Sequence, residues 1–286
     1  MINEDKFNEV KDFVIKVGKI ACDYFYSGDT KNTLKKDLTV VTQVDKEIEV
    51  ELVKYIHMNF PDDAIVGEEF GNEKGRSGFV WHLDPIDGTD NFLRKIPFFA
   101  ISVARLGDDV EGCFGIVHNP ITNQTFSSFK ETLGGVYEND RLCTLTADPL
   151  GGKYVITIGG SSRELWMKPA VYALSEAVGL KYGRGGFYHC IALELAYIAA
   201  NRIDANLTFG LNSYDYAAGL LLVKATGGAI SVFEDGKWQR WNSTLKDLCS
   251  QNRTIFSSHP DIHQGILDFI GDPNCWATRH GAPSKV

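Results

Sequence analysis

Trp81-His82-Leu83-Asp84-Pro85-Ile86-Asp87-Gly88-Thr89-Asp90-Asn91-Phe92 places two carboxylates three residues apart at the end of an apolar run and follows them at once with Gly-Thr. The run from Gly78 to Leu83 reads as a buried strand that Pro85 ends, because proline has no N–H to give to a sheet ladder. Gly88 permits a close backbone approach where a short helix starts, and the first N–H groups of a helix have no partner inside it. Such N–H groups favour an anion. Asp84 and Asp87 favour a hard cation next to it. The stretch therefore describes metal beside phosphate.

Two further segments extend this pattern. Gly67-Glu68-Glu69 follows the strand-like Ala64-Ile65-Val66, and Tyr214-Asp215-Tyr216-Ala217-Ala218-Gly219 opens an apolar helix. A lone Asp or Glu is ordinarily a solvated surface charge. Four acids at element ends, each beside Gly or apolar sequence, are poorly explained that way. Glu68, Asp84, Asp87 and Asp215, with the backbone carbonyl of Ile86, form an all-oxygen donor set of the kind that suits Mg²⁺.

The surrounding composition excludes several functions. At 286 residues the chain can bury a sizeable core as one large domain or two fused halves, and 23% charged with 44% hydrophobic residues is ordinary for a globular protein. A formal net charge of -8 argues against nucleic acid as a partner. A small phosphorylated substrate remains compatible, since bound cations reverse the field of an acidic cleft. Met1-Ile2-Asn3-Glu4-Asp5-Lys6-Phe7 lacks the basic and apolar regions of a signal peptide. The apolar run Ala217 to Val223 is cut by Lys224, well short of the roughly 20 residues a bilayer needs. The 6 cysteines show no Cys-x-x-Cys spacing, which predicts reduced thiols in a cytoplasmic protein without zinc or disulfides.

Apolar residues at Phe7, Val10, Val14, Val17 and Ala21 predict a helix from about 5 to 26, and Ile48, Leu52 and Ile56 predict a second one beginning near Thr42 and ending before Pro61. Ser27 to Leu38 reads as a lysine-bearing loop. Phe99–Arg105, Gly112–His118 and Thr125–Phe129 read as strands of an antiparallel meander. After a linker-like stretch around Thr146 to Gly152, strands Tyr154–Ile158 and Ala205–Phe209 alternate with helices near Trp166–Val178, Cys190–Ala200 and Tyr216–Ala225. This predicts an α/β or α+β layered protein with an N-terminal half, 1–148, carrying the main metal and phosphate motif. The other half, 149–286, carries Asp215 and the substrate pocket.

Thr89 is a candidate for positioning the attacking water, because a hydroxyl can accept that water's proton while donating its own to a carboxylate behind it. A helix N-cap at Thr89, and a capping box of Asp45 with Thr42, are compatible structural roles. The phosphate is expected on the Gly88 and Thr89 N–H groups.

Gly67-Glu68-Glu69, Asp84-Pro85-Ile86-Asp87-Gly88-Thr89 and Tyr214-Asp215-Tyr216-Ala217-Ala218-Gly219 resemble, in that order, the motifs of the inositol monophosphatase family of Mg²⁺-dependent, lithium-sensitive phosphatases, with Tyr214 where the family usually has Trp. The resemblance spans most of the chain and implies an αβαβα sandwich. It implies a first Mg²⁺ on Glu68, Asp84 and the Ile86 carbonyl, a second on Asp84, Asp87 and Asp215, and a weaker third near Glu68. It also implies Asp45 as the carboxylate behind Thr89, Glu68 as sharing the water, Lys35 as a loop lysine approaching phosphate, and a homodimer. Thr208 stands where the inositol-phosphate enzymes have a Glu that accepts substrate hydroxyls. In His189-Cys190-Ile191-Ala192-Leu193-Glu194 only the Ala-Leu-acidic end of a family motif is kept, with Ala192 expected to line the pocket and His189 expected to be a partly buried, non-catalytic histidine. The implied activity is hydrolysis of a small phosphorylated alcohol such as inositol 1-phosphate. Alternatives are histidinol phosphate, fructose 1,6-bisphosphate or 3′-phosphoadenosine 5′-phosphate as substrate. In another class stands a catalytically weak metal-binding protein acting through partner contact.

Overall fold

The computed structural model describes residues 2–27, 32–34, 40–130, 135–146, 151, 153–160 and 168–271. The first part of the chain runs α1 (Glu4–Ser27), β1 (Asn32–Leu34), β2 (Val40–Thr42), α2 (Gln43–Asn59), β3 (Ala64–Gly67), β4 (Asn72–Glu73), β5 (Val80–Asp87), α3 (Thr89–Leu93), β6 (Ala100–Leu106), β7 (Phe114–Asn119), β8 (Gln124–Phe129), β9 (Val136–Glu138) and β10 (Arg141–Cys143). It continues through β11 (Tyr154–Gly160), α4 (Lys168–Tyr182), β12 (Gly183–Gly186), α5 (Ile191–Ala199), β13 (Ala205–Phe209), α6 (Ser213–Ala225), β14 (Ala229–Glu234), β15 (Lys237–Arg240), α7 (Leu245–Leu248), β16 (Thr254–Ser258) and α8 (Pro260–Gly271).

Two sheets carry the architecture. The eight-stranded one has the order β10-β9-β8-β7-β6-β5-β3-β4, antiparallel except for the β3–β5 pair. The six-stranded one has the order β12-β11-β13-β16-β14-β15, with β11 parallel to both β12 and β13. Strand alternation assigns the layers. On β5, Trp81 and Leu83 join the core beneath α1 and α2, with Val14, Ile48 and Leu52. Ala100, Ala104 and Val117 instead pack against α5 and α6, together with Ile230 and Ile255 of the second sheet. Ile156, Leu207 and Phe256 face outward onto α4 and α8 through Val178, Ile266 and Leu267. Three helical layers thus enclose two sheets, the expected αβαβα sandwich. No described helix is long and apolar enough to cross a membrane.

The first two helices, the β6–β8 meander and strand Ala205–Phe209 lie where the spacing predicts them. Within the segment read as loop, Asn32–Leu34 pairs with Val40–Thr42 instead. Pro85 does not end its strand. β5 continues to Asp87 through a register shift in which Asp84 pairs with Ser102 and Asp87 with Ala100. One extra residue in β5 makes this a bulge, a place where a proline's missing N–H costs the ladder nothing. The bulge also reverses the alternation, so that Ile86 turns back into the α1/α2 core while Asp84 and Asp87 do not join that core.

Candidate functional site

The site assembles at strand and helix ends. Parallel pairing of β3 with β5 sets Gly67 opposite Leu83, and the Glu68 N–H donates to the Leu83 carbonyl at 3.2 Å. Glu68 is thereby delivered beside Asp84. Asp45 comes from the first turn of α2 and is 1% exposed. Carboxylate oxygens of Asp45, Glu68 and Glu69 lie within 4.8 Å of one another. Asp215 sits in the first turn of α6, with Oδ2 accepting the Asn212 N–H at 2.7 Å.

Asp84 and Asp87 are the buried centre of this group. Asp84 Oδ1 accepts the Ile86 N–H at 3.0 Å, closing the bulge. Burial, and after it repulsion from Glu68, Asp87, Asp215 and Asp45, raises the Asp84 carboxyl well above the usual range. Burial and Asp215 do the same to Asp87. Acids that repel one another out of water are relieved by a cation, and an all-oxygen set matches a hard one. The donor set therefore fits Mg²⁺.

Asp87 is also anchored from across the molecule. Its Oδ2 accepts the Ala192 N–H at 2.6 Å and the Cys190 thiol at 3.2 Å, both at the start of α5. Gly88 follows with φ 90, left-handed, as N-cap of α3. A Cβ there would stand 2.9 Å from the His189 carbonyl oxygen and 3.2 Å from Cys190 Cβ. Asn91 ties the same two segments, its side-chain amide donating to the carbonyls of Phe98 and Tyr188 at 2.8 Å each.

Several sequence-level assignments change. The Thr89 hydroxyl donates to the Ile86 carbonyl at 3.1 Å, not to a carboxylate, because three residues of turn bring that oxygen closest. Its lone pairs are what it can offer a water. Ala192 is wholly buried and contributes its N–H to Asp87 rather than a pocket surface. Thr208 is 1% exposed and its hydroxyl donates to Asn206 Oδ1 at 2.5 Å, so its strand position turns it inward. His189 is exposed, not partly buried, and its backbone is left-handed with φ 59 just before the extended N-cap Cys190 of α5. Lys35 lies outside the described residues.

Other contributors carry no motif. Glu49, fully buried one turn after Asp45, accepts the N–H groups of Glu69 at 2.9 Å and Phe70 at 3.0 Å and so shapes the acidic loop. Its neighbours Glu47 and Glu51 make it indistinguishable in sequence. His82, pushed down to about 4 by burial and hence neutral, bonds Ser213 Oγ at 2.9 Å and seats the start of α6 on β5. A cavity of about 490 Å³ lies between α4, β11 and β12, lined in part by Thr157, Arg184, Phe187 and Tyr188, and adjoins the turn leading to Cys190.

The inositol monophosphatase family model matches residues 4–269. The Nus factor SuhB of Haemophilus influenzae is 32% identical over 227 residues, 77% of this chain and 82% of that protein. The inositol-1-monophosphatase of Bacillus subtilis is 27% identical over 275 residues, 94% of this chain and 97% of that one. The crystal structure of the suhB protein of Bartonella henselae superposes with a TM-score of 0.78 at 25% identity, covering 93% of this chain and 98% of that one. The match of the family model over nearly the whole chain, on the fold and the acidic geometry just described, makes this chain a member of the inositol monophosphatase family.

Proposed function

We propose that the chain is a Mg²⁺-dependent, lithium-sensitive phosphatase of small phosphorylated alcohols. The observation that carries the reading is the ring of carboxylates around buried Asp84, set against the left-handed Gly88 turn. Glu68, Asp84, Asp87, Asp215 and the Ile86 carbonyl would hold Mg²⁺, which when bound supplies positive charge for the phosphate and acidifies water. Gly88 and Thr89 N–H groups orient the phosphate at the start of α3. Thr89, its own proton committed to Ile86, receives a hydrogen bond from the attacking water. Asp45 and Glu68, whose carboxylate oxygens lie within 4.8 Å of one another, would take up the proton. Thr208, buried against Asn206, offers no acceptor to a polyol. A cytoplasmic homodimer belongs to the same reading.

The test is phosphate release by the purified protein from inositol 1-phosphate, histidinol phosphate, fructose 1,6-bisphosphate and 3′-phosphoadenosine 5′-phosphate. At least one is expected to turn over with Mg²⁺, to stop with chelator and to be inhibited by millimolar Li⁺. No turnover of any ester with Mg²⁺ would favour a second reading, action through partner contact, which the name of the SuhB relative supports.

Thr89→Ala is expected to lower kcat by about 10²-fold with KM within threefold, since the hydroxyl serves the water and hardly touches bound substrate. Initial rates over a substrate series check this. A raised KM with unchanged kcat would make Thr89 a binding residue.

A further inference from the structure

Glu194 is wholly buried in the first turn of α5. It is not one of the acids of the Asp84 group, yet its two carboxylate oxygens are both engaged. Oε1 accepts the Tyr188 N–H at 3.1 Å and Oε2 accepts the Asn206 amide at 2.9 Å. Asn206 also donates to Thr157 Oγ1 at 2.9 Å and accepts from Thr208. The network thus runs from two strands of the second sheet, β11 and β13, into one short turn.

That turn, Tyr188 to Ala192, meets the segment from Asp87 to Asn91 through Tyr188, His189, Cys190 and Ala192. The Tyr188 carbonyl accepts from Asn91. The His189 carbonyl lies against Gly88, at a residue held in the left-handed region. The Cys190 thiol and the Ala192 N–H both bond Asp87 Oδ2. A non-glycine left-handed residue persists only where its surroundings hold it, and the Glu194 carboxylate holds the N–H immediately before it. We propose that Glu194 is a positioning residue, whose side-chain length and paired acceptor oxygens set the 188–192 turn and, through it, the placement of Asp87 and Gly88. This rests on the phosphatase reading for its effect on rate but not for its effect on the turn.

The role is one of reach and acceptor geometry, so charge and length separate it. Glu194→Asp keeps the charge and shortens the arm by one methylene, so one carboxylate no longer spans Tyr188 N–H and Asn206. Glu194→Gln keeps the length; its carbonyl still accepts from Tyr188, and the Asn206 amide can turn over to accept from the new NH₂ while the Thr157 and Thr208 hydroxyls rotate to suit. Glu194→Asp is expected to lower kcat about 10- to 100-fold with KM changed less than threefold, the scale of a small misplacement of catalytic groups. Glu194→Gln is expected within about threefold of wild type, as its hydrogen bonds are conserved.

A second readout does not depend on turnover: the rate at which iodoacetamide alkylates Cys190, mapped by mass spectrometry. Cys190 is fully buried, and loosening of the turn in Glu194→Asp should speed its modification at least about tenfold, as expected of a locally opened segment. The buried Cys113 and Cys249, outside the turn, should stay protected. If the protein proves not to be a phosphatase, this readout still tests the turn. A folded Glu194→Asp variant with wild-type rate and wild-type Cys190 protection overturns the proposal, as does a Glu194→Gln variant impaired as much as Glu194→Asp.

Discussion

Asp84→Asn should lower kcat/KM by at least ~10³, the scale of losing a charge stabiliser of the transition state, while leaving the metal-free protein as stable as wild type or more so. The two effects have one cause. Asp84 is 1% exposed and faces Glu68, Asp87, Asp215 and Asp45, so its carboxylate is held out of water against like charges. That arrangement would serve the proposed cation binding and works against folding without a cation. The sign is opposite to that of a salt-bridged acid. Below the ordinary value of 3.8, Asp84 is protonated in both states and costs nothing. As pH rises past it, the unfolded chain releases a proton that the folded chain retains, so folded stability falls until the raised folded value is reached. Thermal midpoints in chelator should therefore decline as pH rises past 3.8 in wild type and decline less in Asp84→Asn. Adding Mg²⁺ should raise the wild-type midpoint and raise that of the variant far less. Activity within tenfold of wild type at saturating Mg²⁺, or a variant that responds to Mg²⁺ as wild type does, would remove Asp84 from the centre of the site.

The second large effect is expected at Gly88. Gly88→Ala must adopt φ 90 with a Cβ 2.9 Å from a backbone carbonyl and 3.2 Å from Cys190 Cβ. Neither neighbour is the far end of a flexible side chain, so the α3 start or the 188–190 turn must shift. The strain is worth about 1–3 kcal/mol. Displacement of the proposed phosphate-binding turn should cost about 10²-fold in kcat/KM. Gly227→Ala is the control, since Gly227 has φ 85 but nothing within 4 Å of its hypothetical Cβ. It should lose about 1 kcal/mol and no activity. Equal losses of activity in both variants would mean that backbone strain, not the contact with the turn, sets the effect.

Much of the candidate site was legible along the chain. Asp84, Asp87 and Asp215 stand beside Gly or apolar runs, and side-chain periods of two and 3.6 reveal strands and amphipathic helices wherever one face is buried. The antiparallel meander was readable for the same reason. Short pieces such as β9, β10 and β15 were not, because two to four residues are too few to display a period. Pro85 was misread because its local chemistry describes a strand end equally well as a bulge; only the partner strand β6, with Asp84 opposite Ser102 and Asp87 opposite Ala100, distinguishes them.

By itself the sequence determined the donor types, the helices that bury one stripe and the order of acidic motifs, all of them properties of residues close together in the chain. Tertiary structure alone decided the partners. It turned Thr208 inward onto Asn206, gave Ala192 a role through its N–H instead of its side chain, drew Glu49 under the Glu69 loop and set Glu194 behind the turn that holds Asp87. The partners of Glu49 and Asp87, 20 and 105 positions away, have no local signature, since a buried acceptor is chosen by which N–H the packed layers bring within about 3 Å of it, and that is a property of the assembled sheets.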